Sequence, residues 1–147
     1  MEIRALELNA HVVTDLLCLV AEDEVGDYPW PSPLVKQLMA AQEFSGKLGE
    51  TASCVYLAEE LQRPVRVVAA GLGKTEELTT EKVRRAFGAG LKEADRLKIE
   101  VLTTMPWTNG GLTPGEAARA VTEAYLLATY RFNRYLSEKK ECSVRFL

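Results

Sequence analysis

The residues of this chain that come closest to a chemical arrangement are Gly71-Leu72-Gly73-Lys74-Thr75. They follow a short apolar run, Pro64-Val65-Arg66-Val67-Val68-Ala69-Ala70, and precede a long amphipathic stretch that starts near Thr79. A glycine turn between a strand and a helix can aim backbone N–H groups at an anion, so Gly71, Gly73 and Lys74 form a candidate anion site. The chemistry would be phosphate binding. Gly73-Lys74-Thr75 has the composition of a P-loop end, but the leading glycine of that motif would fall at Val68, inside the strand. The lysine of that motif also opens its helix, whereas here several residues intervene. A dinucleotide fingerprint would need its third glycine at Glu76. Both motifs fail on spacing, and the competing reading is a strand-to-helix turn that needs residues with φ > 0.

Other reactive side chains are scattered. His11 is the only histidine, so any Ser/His or Cys/His nucleophile system would have to use it. It lies in an expected turn beside no partner group. Cys18, Cys54 and Cys142 show neither CxxC nor Cys/His metal spacing; two of them sit inside apolar runs and read as buried small hydrophobes, and the set reads as that of a reduced, cytoplasmic protein. The carboxylate groups Glu22-Asp23-Glu24, Glu59-Glu60 and Glu76-Glu77 are adjacent in polar stretches, the pattern of a solvated surface. Trp30 sits in a loop, where it either binds a ligand or packs over the edge of the core. The residues themselves therefore point to no catalytic and no metal-ligating group.

Charge narrows the partners. Eighteen basic and 21 acidic side chains leave a formal charge of -3, which argues against nucleic acid as a partner because phosphate neutralisation supplies that affinity. Basic residues near Lys82–Arg96 alternate with acids, as on a solvated helix face. No apolar run reaches membrane-spanning length, and no membrane partner is expected. At 147 residues the chain is long enough for one domain with a sizeable core.

The elements that must carry these residues follow from pattern. Residues 2–8, 12–20, 53–58, 64–70 and 99–105 read as strands. Residues 53–58 and 64–70 are close enough in sequence to pair as a hairpin. Ser32-Pro33 starts a helix, with Ser as N-cap and Pro in the first turn. Leu34, Leu38, Ala41 and Phe44 then form its expected apolar stripe. A second helix starts at Thr79 or Thr80 and buries Val83, Phe87, Leu91, Ala94 and Leu97. Gly88 and Gly90 are expected to let it lie close on the sheet. The strand after it should run parallel to residues 64–70 through a right-handed crossover. Thr113, Pro114 and Glu116 form a capping box that opens the last helix, with Val121, Ala124, Tyr125, Ala128, Phe132 and Tyr135 on its expected buried face. Strand–helix alternation after a strand-rich start indicates an α/β domain of three layers, a mixed β-sheet flanked by helices.

Three segments carry a likeness to a known family. These are Phe44-Ser45-Gly46-Lys47-Leu48-Gly49-Glu50-Thr51, Val67-Val68-Ala69-Ala70-Gly71-Leu72-Gly73-Lys74, and the stretch from Tyr130 to Lys140, Tyr-Arg-Phe-Asn-Arg-Tyr-Leu-Ser-Glu-Lys-Lys. In this order and spacing the chain resembles the N-terminal domain of the leucyl aminopeptidase (cytosol aminopeptidase) family. Asn133 and Leu136 depart from the family pattern. The resemblance implies a macro-domain-like fold, followed in the family by a larger C-terminal domain. That domain binds two divalent metals, zinc or manganese, removes N-terminal amino acids from peptides and assembles as a homo-hexamer. Its Asn-Thr-Asp-Ala-Glu-Gly-Arg region has no counterpart here, so no catalytic or metal residue carries over, and no cofactor is expected in this chain.

Residues 1–140 are thus expected to be a macro-like N-terminal domain, and residues 141–147 the start of a linker or last strand toward an absent catalytic domain. The expected role is that of a non-catalytic accessory domain whose partner is its own C-terminal catalytic domain. The alternative is a free-standing macro-like module binding ADP-ribose or a related nucleotide at the Gly71 corner and the Trp107–Gly111 loop.

Overall fold

Two apolar runs, each buried on both sides, form the middle of the sheet. In the computed structural model, which describes residues 15–59, 62–104 and 111–129, these are β1 (Asp15–Val20) and β3 (Arg63–Gly71). They pair in parallel, with Leu16 opposite Val67 and Val20 opposite Gly71. β2 (Thr51–Ala58) adds antiparallel to β3 as the expected hairpin, and β4 (Leu102–Thr104) adds parallel to β1. The order is β2-β3-β1-β4, a mixed sheet. β4 does run parallel to β3, as the crossover rule requires, but β1 lies between them.

Side chains alternate across the sheet and feed two cores. Val65, Val67 and Ala69 of β3, with Cys18 and Val20 of β1, meet Val35, Met39 and Phe44 on one face. Val68 and Ala70, with Leu17 and Leu19, meet Phe87, Leu91 and Tyr125 on the other. The first face is covered by α1 (Pro33–Ala41), the second by α2 (Thr80–Arg96) and α3 (Pro114–Thr129). The result is the expected three-layer α/β arrangement.

Local signals place the helix starts. Ser32 Oγ accepts from the Leu34 N–H, and Thr79 Oγ1 accepts from the Lys82 N–H. At α3 the capping box closes in both directions: Thr113 N–H donates to Glu116 Oε2 at 2.8 Å, and Glu116 N–H donates to Thr113 Oγ1 at 3.2 Å. The buried face of α1 differs from expectation. Val35 and Met39 are buried, whereas Leu34 is 49% exposed and Ala41 is exposed. Both stripes have helical spacing. The choice is made beyond the helix, where Glu43 turns with φ 57° and returns Phe44 into the core beside Val35 and Met39.

α2 sits close on the sheet at one of its two glycines. A Cβ on Gly90 would lie 2.5 Å from Leu17 Cδ1 and 3.3 Å from Ala70 Cβ, whereas one on Gly88 would meet nothing within 4 Å. Gly88 therefore weakens the helix without serving the packing. Gly88→Ala is expected to raise stability by about 1 kcal/mol through helix propensity alone, read as a higher urea midpoint at unchanged slope. α2 and α3 are joined by Glu123, which accepts from Arg84 Nε at 2.7 Å and from Arg119 Nε at 2.8 Å.

Candidate functional site

The parallel strands β1 and β3 end side by side, and their connections leave in opposite directions. β1 leads to α1 on one face of the sheet, and β3 leads to α2 on the other. Such a switch point opens a crevice at the carboxyl ends of the strands, where α/β folds bind nucleotides. The Gly71 corner lies there. Here the crevice is occupied by the chain itself.

Residues 44–50 cross the strand ends as a strap, and they lie directly on the corner. Gly71 N–H donates to Glu50 O at 2.8 Å, Gly49 N–H donates to Gly71 O at 3.0 Å, and Gly73 N–H donates to Gly46 O at 3.0 Å. Leu72 N–H donates to Val20 O at 2.9 Å, and Glu22 N–H donates to Gly73 O at 2.8 Å. Three segments, 20–24, 44–50 and 71–75, are thus linked through backbone hydrogen bonds. The approach is so close that a Cβ on Gly71 would lie 2.0 Å from Lys47 O. On the other side of the strap, a Cβ on Gly46 would lie 2.9 Å from Glu22 Cα.

The strap is held in shape by one carboxylate. Glu50 accepts from Ser45 N–H at 3.1 Å, Ser45 Oγ at 2.7 Å and Lys47 N–H at 3.2 Å. It occupies the ring of N–H groups that an external anion would otherwise use. Partial burial pushes the Glu50 carboxyl upward, but the hydrogen bonds from Ser45, Lys47 and Gly46 outweigh it and hold its pKa below the ordinary glutamate value. A second carboxylate ties the corner from outside. Asp23 Oδ1 accepts from Thr75 N–H at 3.0 Å and from Thr75 Oγ1 at 2.8 Å. Those two hydrogen bonds lower the Asp23 pKa, with a smaller contribution from Lys74.

The candidate residues Gly71, Gly73 and Lys74 are therefore brought to the fold's ligand-binding end. The N–H groups of Gly71, Leu72 and Gly73 already donate to carbonyls, and that of Thr75 donates to Asp23. Lys74 is exposed, in extended backbone, as the N-cap of a short 3-10 turn at Thr75–Glu77. The corner is thus a structural knot in which the N–H groups of Gly71, Leu72, Gly73 and Thr75 are used within the fold. Pattern reasoning did not find Glu50 or Asp23, whose partners lie across a turn or 52 residues away. The only available signal was a lone carboxylate after the Gly46–Gly49 turn. Glu50→Gln keeps the shape but loses the charge. It is expected to destabilise the fold by about 1–2 kcal/mol at neutral pH. Because the folded-state pKa of Glu50 is depressed, its contribution is complete above the ordinary glutamate value. It is lost as pH falls through the folded value. Urea midpoints at pH 7 and at acid pH should converge for the two proteins; a gap that stays constant would assign the loss to packing.

Elsewhere the reactive groups are quiet. Burial pushes the Cys18 thiol up to about 11, partly offset by a hydrogen bond with Tyr28, so it stays protonated at neutral pH. Burial also raises Cys54, and both cysteines are free. Trp30 packs over the core edge, with its ring 4.7 Å from Tyr28 and its Nε1 donating to Val25 O. His11, Cys142, the segment from 130 to 140, residues 141–147 and most of the Trp107 loop lie outside the described residues. Among the described residues no group of three His, Cys, Asp or Glu side chains could hold a metal, so they do not fit a dimetal centre. None of the described helices is long and apolar enough to cross a membrane.

The model of the N-terminal domain of the cytosol aminopeptidase family matches residues 31–139. The chain belongs to this family. A probable cytosol aminopeptidase of Synechococcus sp. is 39% identical over 111 residues, covering 74% of this chain and 20% of that protein. One of Clostridium perfringens is 32% identical over 104 residues, covering 71% and 21%. The chain thus spans about a fifth of the curated relatives it matches. Among solved structures, a tomato leucine aminopeptidase variant superposes with TM-score 0.73 at 16% identity, covering 98% of this chain and 31% of that one. The bottromycin maturation enzyme BotP in complex with Mn superposes with TM-score 0.64 at 17% identity, covering 92% and 26%. The likeness in structure concerns the fold. In the cytosol aminopeptidase N-terminal domain, then, two of the three segments that carry the resemblance are one object: the Phe44–Thr51 turn and the Gly71-Leu72-Gly73-Lys74 corner lock each other.

Proposed function

We propose that this chain acts as a non-catalytic accessory domain of a leucyl-aminopeptidase-like exopeptidase. The observation that carries the reading is the match to the family's N-terminal domain combined with coverage of only about a fifth of each relative. The working partner is a C-terminal catalytic domain that follows it in the same polypeptide, in a homo-hexameric cytoplasmic enzyme. That domain would hold the two divalent metals, zinc or manganese, and release N-terminal amino acids from peptides. The manganese bound to the BotP neighbour agrees with such a centre. Residues 141–147 would begin the connection to it.

The role of the present domain is then one of shape. Its strand ends are closed by the strap, so it offers the catalytic unit a rigid body rather than a second ligand site. The purified chain, incubated with leucyl-p-nitroanilide and Mn²⁺, is expected to show no hydrolysis above the metal-only control. Robust turnover that is lost on chelation would overturn this reading.

A further inference from the structure

Three donors of the strap converge on one oxygen. Glu50 Oε2 accepts from Ser45 N–H at 3.1 Å, from Ser45 Oγ at 2.7 Å and from Lys47 N–H at 3.2 Å, and Oε1 accepts from Ser45 N–H at 3.3 Å. The amides belong to one bend, the concave arrangement of N–H groups that takes an anion. Left-handed glycines shape the bend on either side of Lys47, Gly46 with φ 79° and Gly49 with φ 81°.

This bend is fastened by contacts that do not use the carboxylate. Gly46 O accepts from Gly73 N–H at 3.0 Å, Lys47 O accepts from Glu50 N–H at 2.9 Å, and Glu50 O accepts from Gly71 N–H at 2.8 Å. Gly49 N–H donates to Gly71 O at 3.0 Å, and Phe44, just before the bend, is buried with Val35 and Met39. The backbone around Ser45 and Lys47 is therefore anchored on both sides by groups other than the Glu50 side chain. Removing that side chain leaves the donors in position without their acceptor. Ser45 is half-buried and Lys47 is exposed, so a solute reaches the ring from water without crossing the core.

We propose that the Ser45–Lys47 bend is a carboxylate-binding site whose resident ligand, Glu50, is supplied by the chain itself. The ligand class is a small monocarboxylate, because both oxygens of one carboxylate are engaged, Oε2 by three donors and Oε1 by one. Truncating Glu50 to alanine deletes a CH2–COO⁻ unit, and acetate has that size, shape and charge. The vacated site takes acetate from solution. In the wild-type chain the tether holds the carboxylate at a high effective concentration, and the site is closed to free carboxylates. The inference rests on residues 44–50 and 71–73 and is independent of the accessory role proposed above.

The test is an acetate titration of Glu50→Ala, followed by the amide NMR shifts of Ser45 and Lys47. Both are expected to move and saturate, with a dissociation constant between about 1 mM and about 100 mM for so small a ligand. Acetamide, the neutral analogue, and chloride at equal ionic strength are expected to leave them in place, as is acetate added to the wild-type chain. At about ten times the dissociation constant, acetate should shift the folding equilibrium of the variant about tenfold toward the native state, beyond any shift it causes in wild type. If Glu50→Ala does not fold in buffer, recovery of its native spectrum in acetate and not in acetamide decides in the same way. Shifts that do not saturate by about 1 M acetate, an equal response to acetamide or in the wild-type chain, or a variant that acetate leaves unfolded would overturn the proposal.

Discussion

Gly71→Ala is expected to destabilise this domain by about 3 kcal/mol, out of proportion to one methyl group. The new Cβ would lie 2.0 Å from Lys47 O and 2.6 Å from Gly46 C and O. These are backbone atoms of a strap that is itself pinned by Glu50 and by the Gly49 and Gly73 hydrogen bonds, so no flexible side chain can yield. The strap must lift, and its bonds to Gly71 and Gly73 go with it. Gly71 has no positive φ, so alanine would sit in its backbone without strain and the whole loss is steric. Gly73→Ala separates the two causes. There φ is 77°, and the nearest contact of a Cβ is an ordinary 3.5 Å to Leu48 Cβ. Only the left-handed strain of about 1 kcal/mol is expected. Urea unfolding of both variants checks this; equal losses would mean that the close approach at Gly71 is not what selects glycine there.

Asp15→Ala should be comparably severe, about 3 kcal/mol, by an electrostatic route. Asp15 is 7% exposed at the start of β1. Its Oδ1 accepts from the Arg66 N–H at 2.9 Å, and its Oδ2 accepts from Arg66 Nε at 3.1 Å and Nη2 at 2.9 Å. Arg66 in turn donates from Nη1 to Leu97 O at 2.8 Å, fastening the end of α2. Removing the carboxylate leaves a backbone donor and a guanidinium without their acceptor, and frees the helix end. The Arg66 side chain is 36% exposed and can rehydrate in part, which keeps the loss at the lower end of the range for buried pairs. Asp15→Asn retains an acceptor and should lose about half as much. A midpoint shift at constant urea slope is the expected readout, and no difference between Asn and Ala would remove the hydrogen-bond argument.

What was legible in the sequence was what neighbouring residues decide. Ser32, Thr79 and Thr113 cap their helices through contacts only two or three residues long, so the cap residues name the starts. The buried face of α2 was readable because one stripe, Val83, Phe87 and Leu91, is apolar and its opposite is charged. α1 offered two apolar stripes of equal spacing, and only the return of Phe44 after Glu43 selects Val35 and Met39. Periodicity marks a strand but not its neighbour, so the insertion of β1 between β3 and β4 was not visible. The Gly71 corner could be rejected as a nucleotide motif from spacing alone. That its donors are spent on residues 20 and 46–50 is a matter of long-range contact, and no local pattern records it.

The strand order also sets a timetable for assembly. β1 comes first among the described strands yet lies inside the sheet, with β3 on one side and β4 on the other. As the chain leaves the ribosome, β1, the β2–β3 hairpin and the strap can meet once residue 75 has emerged, while the second flank of β1 stays open until Leu102–Thr104 arrives. For that interval β1 has β3 as its one partner among the described strands. Pulse-labelled amide exchange during refolding should protect the β1–β3 ladder before the β1–β4 ladder; simultaneous protection would mean that the sheet closes in one step.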